Sequence, residues 1–153
     1  MEPFEEVYAA YWPLLVRFCL SLCGSVDLAE DLAQESFLAA FKALRKFRGE
    51  SSVETWLCGI AKNHFRRYCG KNPVHIPLEL LPAEPTDTQV TPFEVEEAIR
   101  TLPPDYAAVL RERAIGGLEY SEISRIHGKS ESWARVTYHR AHLKLQSIWE
   151  ESQ

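Results

Sequence analysis

Arg135, His139 and Arg140 fall close together near the C-terminus, and Arg48, Lys62, Arg66, Arg67 and Lys71 cluster earlier with Trp56, Phe65 and Tyr68 interleaved. Guanidinium and ammonium groups grip phosphates and guanine edges, while aromatic rings and short polar side chains hold unstacked bases. The chemistry on offer is therefore nucleic-acid recognition rather than turnover. The sequence has no G-x-S-x-G, P-loop or H-E-x-x-H pattern, and His75, His127 and His142 stand isolated. No enzyme, no small-molecule substrate and no cofactor is expected. A rival reading is a helix-turn-helix regulator with a metal or redox sensor built from Cys19, Cys23, Cys58, Cys69 and His64. Cys19 and Cys23 are four apart and could share an ion on one helix face. Cys19 also falls within an apolar stripe, where free cysteine ordinarily serves as a small core residue, so no metal site is assigned.

The C-terminal cluster requires a particular scaffold. Pro103-Pro104 opens one helix, Gly116-Gly117 closes it, Glu119 to Ile126 makes a short helix, and His127-Gly128 turns into a last one. Two helices joined by a tight glycine turn are a helix-turn-helix, whose second member enters a DNA major groove. In the last helix Ala134, Tyr138, Ala141 and Leu145 form the inner face. Ser132, Trp133, Val136, His139 and Arg140 lie opposite, with Arg135 at the edge.

The earlier cluster is set by charge. The net charge is −5, yet Met1 to Phe41 carries seven acids against Arg17, whereas Lys42 to Lys71 carries eight basic residues against Glu50 and Glu54. A basic surface of that kind attracts phosphates over about 8–10 Å whatever the distant charges do. Apolar residues recur at helical spacing in three runs: Val7 to Leu22, with a kink or fresh start expected at Pro13; Leu28 to Leu44, with Asp27 and Glu30 at its start; and Val53 to Tyr68, with Ser51 and Glu54 as a capping box. In the second run Leu28, Leu32, Phe37, Ala40, Phe41 and Leu44 point inward. In the third, Trp56 and Phe65 belong to the buried stripe, leaving Asn63, Arg66 and Arg67 outside it.

Residues 72–92 hold five prolines, three acids and no Lys or Arg, a composition that predicts an extended linker. Thr91, Pro92 and Glu94 then read as N-cap, first helical position and capping-box partner. The expected organisation is all-α: a three-helix unit over 1–71, a linker over 72–92 and a helix-turn-helix unit over 93–153. No apolar run reaches the roughly 20 residues of a membrane span, and Met1-Glu2-Pro3-Phe4-Glu5-Glu6 is acidic where a secretory signal would be basic. The expected setting is the cytoplasm.

In this order the segments resemble the extracytoplasmic-function group of bacterial sigma factors. Asp27-Leu28-Ala29-Glu30-Asp31-Leu32-Ala33-Gln34-Glu35-Ser36-Phe37 is similar to the family's polymerase-docking helix, which implies core RNA polymerase binding through Asp31, Gln34, Glu35 and Phe37. Phe47-Arg48-Gly49 and Thr55-Trp56-Leu57-Cys58-Gly59-Ile60-Ala61-Lys62-Asn63 resemble the part that melts and reads the −10 element. The resemblance implies contacts from Arg48, Ser51, Ser52, Lys62, Asn63, Arg66, Arg67 and Lys71. Leu102-Pro103-Pro104 and Gly117-Leu118-Glu119-Tyr120-Ser121-Glu122-Ile123 resemble the −35-reading unit, implying contacts from Lys129, Ser132, Trp133, Arg135, Val136, His139 and Arg140. It further implies promoter DNA as a ligand, an anti-sigma factor as a partner, and a linker threaded toward the RNA exit path. The chain departs from the pattern at Trp133, Val136 and Thr137, where relatives carry small polar or basic residues. It departs again at Glu119, where they carry a capping Ser, so Ser121 is an alternative cap.

Overall fold

The computed structural model describes residues 4–47, 49–68, 77–83 and 90–151. Among them are seven α-helices and no strand: α1 (Phe4–Cys23), α2 (Val26–Lys42), α3 (Val53–Tyr68), α4 (Pro92–Arg100), α5 (Pro104–Ala114), α6 (Tyr120–His127) and α7 (Glu131–Glu151). Short 3-10 turns cover Leu44–Lys46 and Leu78–Leu80. The architecture is all-α, as the periodicity predicts.

Local chemistry sets most boundaries, with some shifts from expectation. Helix α1 runs unbroken through Pro13. The carbonyl that Pro13 leaves without a helical donor belongs to Ala9, on the exposed side of the helix, where water can reach it. Helix α2 starts earlier than Asp27 and Glu30 suggested, because Ser25 takes the N-cap and accepts from the Leu28 amide. Helix α3 is capped by Ser52 rather than Ser51; the Ser52 hydroxyl accepts the Thr55 amide at 3.1 Å. Glu54, expected to complete the cap, is buried instead. The Thr91–Pro92–Glu94 capping box forms as read. Glu119 is the N-cap position of α6, its amide donating to Glu122 Oε1 at 2.9 Å. Gly128 closes α6 at φ +64°, a left-handed conformation that strains any residue with a Cβ.

Helices α1, α2 and α3 pack together around Leu14, Leu15, Phe18, Leu32, Phe37 and Leu57, with Cys19 and Cys58 among them. A second core forms between α4, α5 and α7 from Val95, Ile99, Leu102, Leu110, Leu145 and Trp149. Residues 77–83, expected as open linker, lie along α7. Leu80 is buried in the second core, the Trp149 indole donates to its carbonyl at 2.9 Å, and the Gln146 amide brackets Leu81 O and the Ala83 amide. Proline bars an α-helix here but leaves a single 3-10 turn, and α7 can reach the carbonyls of Leu80 and Leu81.

The two halves also close on each other. Val109, Leu118, Ile123, Ile126 and Ala134 of the second half complete the first core, with α1 against α5 and α3 against α6. Fully burying such aliphatic side chains contributes about 1.5–3 kcal/mol each.

Candidate polymerase and promoter interfaces

On α2, Asp31 and Gln34 are exposed and Glu35 is half-buried; with Leu28 and Leu32 they line a shallow depression. Glu35 lies 3.9 Å from His64 Nδ1. Phe37 corrects the reading. It is 1% exposed, its ring packed against Tyr8 and Trp12, so it supports the α2 face from beneath and offers no contact surface of its own. Phe41, placed inward by periodicity, is instead 56% exposed, and Leu38 beside it 57%. Leu38 follows Asp31 by seven residues and so lies within about 20° of it around the helix. Sequence reasoning missed Leu38, although that spacing was the signal for it. The α2 face is thus acidic at its N-terminal end and apolar at its C-terminal end.

The −10 candidates gather around α3. Ser51, Ser52, Asn63 and Arg66 are exposed, and Lys62 holds its ammonium 6.0 Å from the Phe18 ring centroid. Trp56 stacks on Phe47 at 4.6 Å and packs with Phe65 against the core. Arg48 and Lys71 lie outside the described residues, as does the side chain of Arg67. Ser52 has a partner in the other half: its hydroxyl donates to Arg125 O at 3.1 Å.

On α7, Lys129 just before the helix and Ser132, Arg135, Val136, His139 and Arg140 along it are all exposed. Ser130 caps the helix by accepting the Trp133 amide at 3.0 Å. Arg135 is steered by Glu131 at 3.2 Å and by the Tyr120 ring, 5.1 Å from its guanidinium carbon. Trp133 is half-buried with its ring 5.2 Å from His127, while one edge joins Asp105, Tyr106, Val136 and Arg140 around a cavity of about 330 Å³. The inner face carries Ala134, Ala141 and Leu145 as read, and Thr137 joins it.

Cys19, Cys23 and Cys58 are free and buried. Burial pushes all three thiols above their ordinary pKa, with neighbouring charge adding to it at Cys19 and Cys58 and backbone hydrogen bonds opposing it at Cys23, which disfavours the thiolate that metal binding and oxidation need. Cys69 lies outside the described residues. Nothing here favours the metal or redox rival, and among the described residues no helix is long and apolar enough to cross a membrane.

The Sigma-70 region 2 family model matches residues 7–72, and Sigma-70, region 4 matches residues 93–145. RNA polymerase sigma factor YlaC of Bacillus subtilis is 30% identical, over 95% of this chain and 91% of its own length. ECF RNA polymerase sigma factor SigM of the same organism is 28% identical, over 95% of this chain and 94% of its own. Two solved structures share the fold at 22% identity. One is the sigma factor RpoE in complex with the anti-sigma factor NepR from Bartonella quintana, with a TM-score of 0.54 and 98% of each chain covered. The other is CnrH in complex with the cytosolic domain of CnrY, with a TM-score of 0.56, covering 98% of this chain and 89% of that one. Two separate family matches in order, with a relative aligned end to end, leave one assignment: the chain belongs to the extracytoplasmic-function group of the sigma-70 family of RNA polymerase sigma factors.

Proposed function

We propose that this chain is a promoter-specificity subunit that binds core RNA polymerase, opens DNA at a −10 element and anchors the duplex at a −35 element. The observation that carries the reading is the pairing of two surfaces on one chain. One is a half-acidic, half-apolar α2 face in the region 2 match; the other is an exposed basic recognition face on α7 in the region 4 match. Asp31, Gln34, Glu35 and the apolar pair Leu38 and Phe41 dock on the polymerase. Asn63, Arg66 and Lys62, with Arg48, Arg67 and Lys71, hold the −10 strand. Arg140, Arg135, His139, Ser132 and Lys129 engage the −35 major groove, where each good bidentate contact discriminates by about 1–3 kcal/mol. Val136 and the free edge of Trp133 suit thymine methyls. Region 2 spans 1–71 and region 4 spans 93–153. Like the sigma factor RpoE of the similar NepR complex, the chain pairs with an anti-sigma factor.

Run-off transcription with sigma-free core polymerase on a library of bacterial genomic fragments tests this directly. Site-selective transcripts that depend on the added chain are expected. Transcription no more selective than that of core alone contradicts the assignment.

A further inference from the structure

A buried charged pair inside the helix-turn-helix takes no part in the polymerase and promoter surfaces. Glu112 of α5 is 2% exposed, and His127 at the end of α6 donates from Nε2 to both its oxygens, at 2.8 and 3.0 Å. Burying such a pair costs about as much as its attraction returns, and apolar residues of the same volume often hold a fold equally well. Stability therefore does not account for it. What the pair does is fix a ring. Two carboxylate oxygens hold one edge of the imidazole, and the indole of Trp133 lies against that imidazole, centroids 5.2 Å apart and planes at 47°. The base of the indole is tied as well: Ser130 accepts the Trp133 amide at 3.0 Å, which sets residue 133 in the first turn of α7.

Val136 and Arg140 follow Trp133 by three and seven residues, so the three form one stripe of α7. They line the cavity of about 330 Å³ that Asp105 and Tyr106 of α5 border on the other side. Val136 is 45% exposed there, a large apolar side chain on a face otherwise made of Lys129, Ser132, Arg135, His139 and Arg140. Two apolar side chains are far too few for a protein interface, which buries about 1,000 Å² or more. In the major groove the bases present donors, acceptors and one apolar group, the C5 methyl of thymine. Taking the −35 reading above as given, we infer that Glu112 and His127 are positioning residues that hold the Trp133 edge beside Val136 as a seat for a thymine methyl, so that thymine is the preferred base at that step of the −35 element. Val136 and Arg140 stand about 6 Å apart along the helix axis. The thymine therefore lies within about two base pairs of the base or phosphate that Arg140 holds, at 3.4 Å per step. Residues that never touch DNA thus help to choose the base.

The probe is a promoter duplex that the full chain selects together with sigma-free core polymerase. Each thymine across its −35 element is replaced in turn by deoxyuridine, which removes the methyl and keeps every hydrogen-bonding group. At one thymine the wild-type complex should bind about fourfold more weakly in a gel-shift titration, the worth of one buried methyl-sized group. Trp133→Ala and Val136→Ala should bind the two duplexes alike, whereas Arg140→Ala should weaken both and keep the difference. Glu112→Leu/His127→Leu exchanges the charged pair for an apolar one and should lose the difference. Glu112→Gln, whose amide oxygen still accepts from His127 Nε2, should retain it. Circular dichroism reports whether the helices persist. If the leucine pair melts them, Glu112→Gln/His127→Gln, a pair that can bond to itself but carries no ring, takes its place. An undiminished difference in a folded double variant overturns the positioning role, and so does melting of both, which makes the pair structural. A promoter that is transcribed selectively but in which no thymine methyl matters overturns the inference and leaves the sigma-factor reading intact. If no selective transcript forms, that reading fails first and the seat falls with it.

Discussion

A contact residue and a packing residue can occupy adjacent positions of one helix, and α2 separates them. Phe37 completes an aromatic cluster with Tyr8 and Trp12, so Phe37→Ala leaves a cavity at the base of region 2. A loss of about 3–5 kcal/mol in folding free energy is expected, read by thermal or denaturant unfolding. Asp31→Arg and Leu38→Glu should do the reverse, leaving the unfolding midpoint within about 0.5 kcal/mol of wild type, as surface changes do. Both should sharply weaken binding to core polymerase in a fluorescence titration. If Phe37→Ala kept full stability and lost only polymerase binding, the division of labour on α2 would be wrong. At the other end, Arg140→Ala should weaken binding to a −35 duplex by about 1–3 kcal/mol in a gel-shift titration and relax sequence preference there. The surface positions of Asp31 and Gln34 and the half-buried one of Glu35 agree with their places in the family motif, whereas their contacts stay a proposal. Phe37 was misread because motif and periodicity disagreed, and the motif was followed. The α3 cap was misplaced by one residue because two serines stand side by side; composition cannot choose between them, whereas the Thr55 amide can.

Helix order followed from spacing, and the starts of α4 and α5 from Thr91-Pro92 and Pro103-Pro104, whereas the caps of α2 and α3 fell on other residues than the pattern suggested. The segment 77–83 did not. Its prolines argued correctly against an α-helix, but a 3-10 turn can still dock, and Leu80 and Leu81 were the unread sign that it does. Helix α7 meets it with a row of side chains four and three residues apart: Tyr138, His142, Gln146 and Trp149. The Tyr138 hydroxyl donates to the Glu79 carboxylate at 2.6 Å, while burial first and that carboxylate second push the phenol above its ordinary pKa. The strap therefore braces region 4 from outside its span, and Leu80→Ala should cost about 2–5 kcal/mol of the stability of that core. Hydrogen exchange should show faster amides along the C-terminal turns of α7, with α2 unchanged. Equal protection in variant and wild type would mean that the strap adds nothing. Docking also shortens the tether: from α3 to the strap only residues 69–76 remain, about 26 Å of reach.

At the scale of the whole molecule, the closure of region 2 on region 4 was not legible. Val109, Leu118, Ile123 and Ile126 read equally well as the private core of a helix-turn-helix, and nothing in a one-dimensional pattern says which neighbour a buried face will find. The closed state nonetheless carries a titratable mark. Burial alone would raise the Glu122 carboxyl, but the bond from Arg17, the Glu119 amide and the charges of Arg17 and Arg125 outweigh it and hold the group below its ordinary value. A carboxylate with a depressed pKa contributes stability above the ordinary carboxylate range, about 4.3, and loses it as the pH falls through the depressed value. When the halves part, Glu122 loses Arg17 and returns toward ordinary behaviour, so acid should favour the open form. Interdomain energy transfer should therefore fall as the pH drops below the ordinary carboxylate range. Glu122→Gln removes the titrating group, so it should show reduced transfer already at neutral pH and a flatter acid response. Superimposable acid profiles for wild type and Glu122→Gln, with helicity retained in both, would place the pH sensitivity elsewhere and leave the Arg17–Glu122 pair without a part in the contact between the halves.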